Sequence, residues 1–159
     1  MSQLTMVTAL SCSILACATG CAGDGAADSP PEIRYGEDIC AECGMIISDP
    51  RFASALIQDA GDNEVEAIAF DDIGDMLNYM DKHPGGNVIK LYVHDALTEE
   101  WLDATVAHYV SSDEMETPMG HGLAAFAESA DAERMARELS GNVLDWARLL
   151  AVHRAAQDD

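Results

Sequence analysis

The chain has 159 residues, enough for one domain of ordinary size or two small units. It carries 29 acidic against eight basic residues, with Lys82 and Lys90 the only lysines. No basic patch is available to neutralise phosphates, so nucleic acid is excluded as a partner. The acidic surplus fits solubility in a salty medium, where screening makes self-repulsion tolerable, better than an acidic function.

Residues 4–18 form an almost uncharged apolar run, too short to span a bilayer comfortably as a mature helix, ending in small residues around Cys17 and Cys21. Residues 1–21 therefore read as a cleaved export signal, although no Lys or Arg precedes the apolar run. Ala18-Thr19-Gly20-Cys21 is similar to a bacterial lipobox, in which Cys21 becomes the acylated first residue; Cys17 is the competing acceptor. Residues 22–36 shift to Gly, Ala, Asp and Ser with the pair Pro30-Pro31. That composition buries too little apolar surface to offset the entropy of ordering, and predicts a flexible acidic tether. A lipid on Cys21 would hold the folded part near a membrane on the export side.

Cys40-Ala41-Glu42-Cys43-Gly44-Met45 then places two thiols and a thioether within six residues. Sulfur donors are polarisable and suit copper(I), whereas the carboxylates that dominate the chain suit hard cations. A Cys-x-x-Cys pair alone also serves zinc sites and thiol–disulfide exchange. Structural zinc needs four protein ligands, and no cysteine follows Cys43. A thioredoxin-like site needs a βαβ setting, but here an acidic Pro-containing segment precedes the motif and Met45-Ile46-Ile47 follows it. Metal binding therefore ranks ahead of redox exchange, which stays open. Met45 reads equally as a ligand or as a core residue opening the Ile46-Ile47 run.

Two similar units follow, over residues 37–97 and 98–159. In the first, residues 52–57 and 65–70 are apolar runs flanking a Gly61-Asp62-Asn63 turn and predict a hairpin. Asp71 or Asp72 caps a helix running to Lys82 with Ile73, Met76, Leu77 and Met80 at helical spacing; Pro84-Gly85-Gly86 ends it and residues 87–93 form a strand. In the second, residues 101–110 and 122–126 predict strands, Ser129 or Asp131 opens a helix to Leu139, and Asn142-Val143-Leu144 leads to a last stretch through Leu150. Ala69-Phe70, helix, Gly86-Asn87-Val88 corresponds to Ala125-Phe126, helix, Gly141-Asn142-Val143. The fold class is thus α+β, two ββαβ lobes that must pack together because each alone has a marginal core.

Met119-Gly120-His121 is the second cluster of soft donors. On an extended segment Met119 and His121 share a face and can reach one ion, although spacing alone favours a packed methionine beside an exposed histidine. His94 and His108 read as structural or surface groups, and Met115 as an exposed sulfur in an acidic loop. Asp71, Asp72 and Asp75 fall at a helix start, where capping and dipole roles outrank acid–base chemistry. Trp101 and Trp146 are expected in the core of the second lobe.

Taken in order, the Cys40–Met45 motif, Asp49-Pro50-Arg51-Phe52-Ala53, residues 70–76, residues 101–104 and Thr117 through Phe126 resemble the NosL family, copper-binding lipoproteins associated with maturation of nitrous oxide reductase. The resemblance implies two ββαβ lobes similar to those of the organomercurial lyase MerB. It implies a copper(I) carrier on the periplasmic or outer-surface face of a membrane, serving the apo-reductase with a dedicated membrane transporter complex and carrying out no turnover. It places Met119 and His121 in the metal site, with Cys40, Cys43 and Met45 as the remaining candidates. The alternative function is an exported thiol–disulfide oxidoreductase using Cys40 and Cys43. A third, organomercurial-lyase-like activity needs a carboxylate beside the cysteine pair, and the sequence places none there.

Overall fold

The computed structural model describes residues 29–157; the export signal, the lipidation candidates Cys17 and Cys21, and the tether up to residue 28 lie outside the described residues. Strand β1 (Ser54–Gly61) turns directly into β2 (Glu64–Phe70), with Gly61 opposite Glu64. Asp62 and Asn63 between them have φ of 54° and 61°. Two consecutive left-handed residues make the turn whose twist matches paired strands, and Asp and Asn tolerate that conformation best after Gly. Helix α1 (Ile73–Lys82) follows, capped by Asp72, whose carboxylate accepts the Gly74 N–H at 2.6 Å. Strand β3 (Val88–His94) returns antiparallel along the free edge of β1.

The single strand expected over residues 101–110 is two strands. Asp103 accepts the Thr105 N–H at 2.9 Å and the Thr105 hydroxyl at 2.6 Å, closing an Asx-type turn that breaks the run. Strand β4 (Trp101–Asp103), which lies beyond the expected division at residue 97, pairs with β3 and completes the first sheet in the order β2-β1-β3-β4. Strand β5 (His108–Ser111) is the centre of the second sheet, flanked by β6 (Leu123–Phe126) and β7 (Asn142–Leu144). Helix α2 (Ser129–Glu138) lies between β6 and β7, and α3 (Trp146–Gln157) extends the last stretch well past Leu150.

Both units have the predicted ββαβ order, and in both the first strand occupies the centre of an antiparallel sheet, in β2-β1-β3 and in β6-β5-β7. They share a core. Leu56, Phe70, Ile73, Met76 and Leu77 of the first unit form one buried cluster with Tyr109, Leu123, Ala125, Leu144 and Leu149 of the second. Each large apolar side chain so enclosed contributes about 1.5–3 kcal/mol of transfer free energy. Asp95 ties the sheets: it bridges to Ala125, its Oδ2 accepts the Ala127 N–H at 2.7 Å, and Ala96 N–H donates to Ala125 O at 2.9 Å.

Three expectations need correction. Trp101 packs on the first sheet, its ring 3.6 Å between centroids from buried His94, while Trp146 meets Tyr109 in the second unit. Met115 is buried with Phe52 and Phe126 in a satellite cluster, because its loop folds back over β6. The C-terminal end of the expected tether already belongs to the fold, since Ile33 is buried in the main core and Gly36 N–H donates to Ile47 O at 2.9 Å.

Candidate metal centre

The cysteine motif is a small hairpin. Ile39 bridges antiparallel to Ile46, Cys40 N–H donates to Met45 O at 2.8 Å, and Gly44 N–H donates to Cys40 O at 3.0 Å. Ala41 N–H donates to Ala69 O at the end of β2, and Lys82 at the C-terminal end of α1 pairs with Glu42, so the hairpin is fixed both to β2 and to the far end of the helix. Cys40 is fully buried and Cys43 half-buried, and neither takes part in a disulfide. Met45 is 55% exposed, which removes it from the core and leaves its sulfur at the surface of the hairpin.

Helix α1 presents Asp75 to this hairpin. Asp75 is 2% exposed, and its Oδ2 accepts the Cys40 thiol at 3.1 Å. Sγ of Cys40, Sγ of Cys43 and a carboxylate oxygen of Asp75 all lie within 4.8 Å of one another. Burial pushes the Cys43 thiol up to about 12, and the neighbouring Asp75 and Cys40 add to the rise while a backbone hydrogen bond from Met45 opposes it. Asp71 is raised as well, by burial first and then by the negative charges of Asp72 and Asp75.

The second donor cluster reaches the same helix end by another route. Thr117 through Gly120 is a turn closed by Gly120 N–H to Thr117 O at 3.0 Å, and Gly120 has φ of 74°. The extended segment expected here is therefore absent, because the left-handed glycine breaks the alternation that would put Met119 and His121 on one strand face. Asp72 holds the turn: its Oδ2 accepts the Thr117 hydroxyl at 2.6 Å and the Met119 N–H at 3.4 Å, while its Oδ1 caps α1. His121 lies over the first turn of α1 with its side chain 32% exposed, and its Nε2 stands 3.4 Å from Asp75 Oδ1.

Gly74 makes that approach possible. A Cβ at this position would stand 2.1 Å from Cγ and 2.6 Å from Cβ of His121. The structure thus gathers Cys40, Cys43 and His121 around one buried carboxylate, hangs the backbone of Met119 on the cap of the same helix, and leaves Met45 exposed on the adjoining hairpin. His94 stands apart, with Nδ1 2.9 Å from Ala53 O and Nε2 3.2 Å from the Tyr35 hydroxyl.

Asp75 is the residue that sequence reasoning missed. Its position three residues after the cap is where an acidic side chain ordinarily folds back to the helix start, and only the hairpin brought in from residues 39–46 turns it into a partner for sulfur. The carboxylate said to be missing beside the cysteine pair is therefore present.

The NosL family profile matches residues 33–151, which contain every group just described except the lipidation candidates. This chain belongs to the NosL family. Copper-binding lipoprotein NosL of Stutzerimonas stutzeri is 33% identical over 125 residues, covering 72% of this chain and 63% of that protein. The chain thus spans less than two thirds of the length of that NosL relative. The crystal structure of the copper chaperone NosL from Shewanella denitrificans superposes with a TM-score of 0.64 at 20% identity, covering 75% of this chain and 93% of that one. At that identity the NosL structure speaks to the fold, and it agrees with the two-sheet arrangement found here.

Proposed function

We propose that this chain binds copper(I) and carries it to apo nitrous oxide reductase outside the cytoplasmic membrane, without enzymatic turnover. The observation that carries this reading is the meeting of Cys40, Cys43 and His121 at the first turn of α1, with the Met119 turn fastened to the same cap. Thiolate, thioether and imidazole are donors suited to copper(I), and relatives in the family are named for copper binding. Met45, exposed on the hairpin, is the candidate first contact for an incoming ion.

A carrier must hold copper tightly yet release it. Donors drawn from a hairpin and a turn can leave one at a time as donors of the recipient arrive, and a half-exposed His121 gives that exchange an open side. Lipidation at Cys21, attachment to the membrane, and cooperation with a dedicated transporter complex complete the proposal. Among the described residues no helix is long and apolar enough to cross a membrane. The proposed attachment is through the lipid on Cys21.

The test is anaerobic titration of the reduced chain with copper(I) against a chromophoric competitor. One ion per chain is expected, and Met119→Ile and His121→Ala should each weaken binding at least about tenfold while far-ultraviolet circular dichroism is unchanged. Catalytic reduction of a disulfide substrate would instead establish the oxidoreductase alternative. Release of hydrocarbon from an alkylmercury compound would establish the lyase-like one, for which Asp75 supplies the required carboxylate.

A further inference from the structure

Strand β6 turns Ala125 into the main core and Ala124 and Phe126 to its other face, as alternate residues of a strand must. That other face is covered by the satellite cluster. Three of the cluster's seven buried members, Ala124, Ala132 and Ala136, are alanines, and side chains this small leave a hollow of about 320 Å³. Phe52, Ala124 and Phe126 line it together with Met115 from the loop before β6, Met135 of α2 and Leu139 at the cap of that helix. Its size is at the lower end of the range of about 300–1,000 Å³ usual for small-molecule sites, and suits an inserted side chain better than an enclosed ligand. Methionine is unbranched and polarisable, so two of them in the lining let the hollow adapt to apolar side chains of differing shape.

Charge at the mouth selects what accompanies that side chain. Exposed Glu114 and Glu116 flank Met115 and border the same hollow, and among the described residues neither is engaged in an ion pair. The basic residue beside them, Arg51, is already held by Asp49, whose two carboxylate oxygens accept its N–H groups at 3.0 and 2.6 Å. In a chain of net charge −21 this leaves a negative mouth, which repels acidic peptides and anionic lipid headgroups and attracts lysine and arginine.

We propose that the hollow docks a basic amphipathic segment of a partner protein. A large apolar side chain of that segment enters between β6 and α2, and its flanking lysines or arginines meet Glu114 and Glu116. The lining includes none of Cys40, Cys43, Met119 and His121, so docking and metal binding are separate properties of the chain.

The experiment uses the metal-free full chain, labelled with carbon-13 on the methionine methyl groups, and a synthetic leucine–lysine peptide that folds as an amphipathic helix. The methyl signals of Met115 and Met135 should shift on titration, while those of Met45 and Met119 stay in place. Ala96 also lines the hollow and is half-buried, so Ala96→Phe should fill it and weaken binding about tenfold or more. Replacing Glu114 and Glu116 together by glutamine should weaken binding about threefold or more and flatten its dependence on salt. Equally tight binding of a leucine–glutamate peptide, shifts confined to Met45 and Met119, or shifts spread evenly over the methionines overturns the proposal. Unchanged affinity in a folded Ala96→Phe variant does so too. Should that variant fail to fold, the double glutamine variant decides, since both of its sites are exposed: undiminished binding overturns the proposal, and weaker binding with the Met115 and Met135 shifts reduced supports it.

Discussion

Asp75 joins donors that lie far apart in the chain, receiving the Cys40 thiol on one oxygen and facing His121 Nε2 with the other. A thiol in such company binds metal only by losing its proton, and Cys43 holds that proton up to about pH 12 because it is buried and has negative neighbours. Below that value protons compete with the metal, so affinity should rise with pH, by up to about tenfold per pH unit for each thiolate formed. Copper(I) titrations at neutral and mildly acid pH should therefore show weaker binding in acid; equal affinity at both would remove Cys43 from the ligand set. The soft residues themselves were legible in the sequence, since thiols, thioethers and imidazole in short clusters announce their chemistry. Asp75 was not. Its role depends on a hairpin more than thirty residues away, a contact that neither spacing nor propensity encodes.

At the scale of elements, the close approach of the Thr117–Gly122 turn to α1 depends on Gly74 having no side chain. Gly74→Ala should favour the helix by up to about 1 kcal/mol, yet its Cβ collides with both the ring and the Cβ of His121, so rotating the ring alone gives no relief. The expected outcome is a folded protein whose copper(I) affinity falls about tenfold or more in the competition titration. Unchanged affinity would mean that His121 is not a ligand. The hairpin β1–β2, helix α1 and strand β3 were readable because apolar periodicity, a turn pair and a capping aspartate agree there. The division of residues 101–110 was not, because Asp103 and Thr105 make their turn within an otherwise apolar, strand-like run. The Met119–His121 segment was misread for a similar reason, its left-handed Gly120 carrying no signature that separates it from a glycine in a strand.

For the molecule as a whole, duplication of the ββαβ unit explains why neither half needs a complete core: α1, the first sheet and the second sheet bury one another. A net charge of −21 presses against that compactness. Added salt shortens the Debye length from about 30 Å at 0.01 M to about 3 Å at 1 M, which relieves the repulsion. Thermal unfolding should therefore shift to higher temperature as sodium chloride rises across this range, and a midpoint no lower at 0.01 M would dismiss adaptation to a salty medium. Composition made this property visible at once, whereas the sharing of β4 with the first sheet required the fold. The centre itself is tested most directly by copper-edge X-ray absorption on the reduced chain, loaded with one equivalent of copper(I) in the presence of equimolar zinc. Copper held by about two or three sulfurs and an imidazole nitrogen is expected. Retention of zinc in place of copper, or copper surrounded by oxygen and nitrogen alone, would contradict a copper(I) carrier built on these residues.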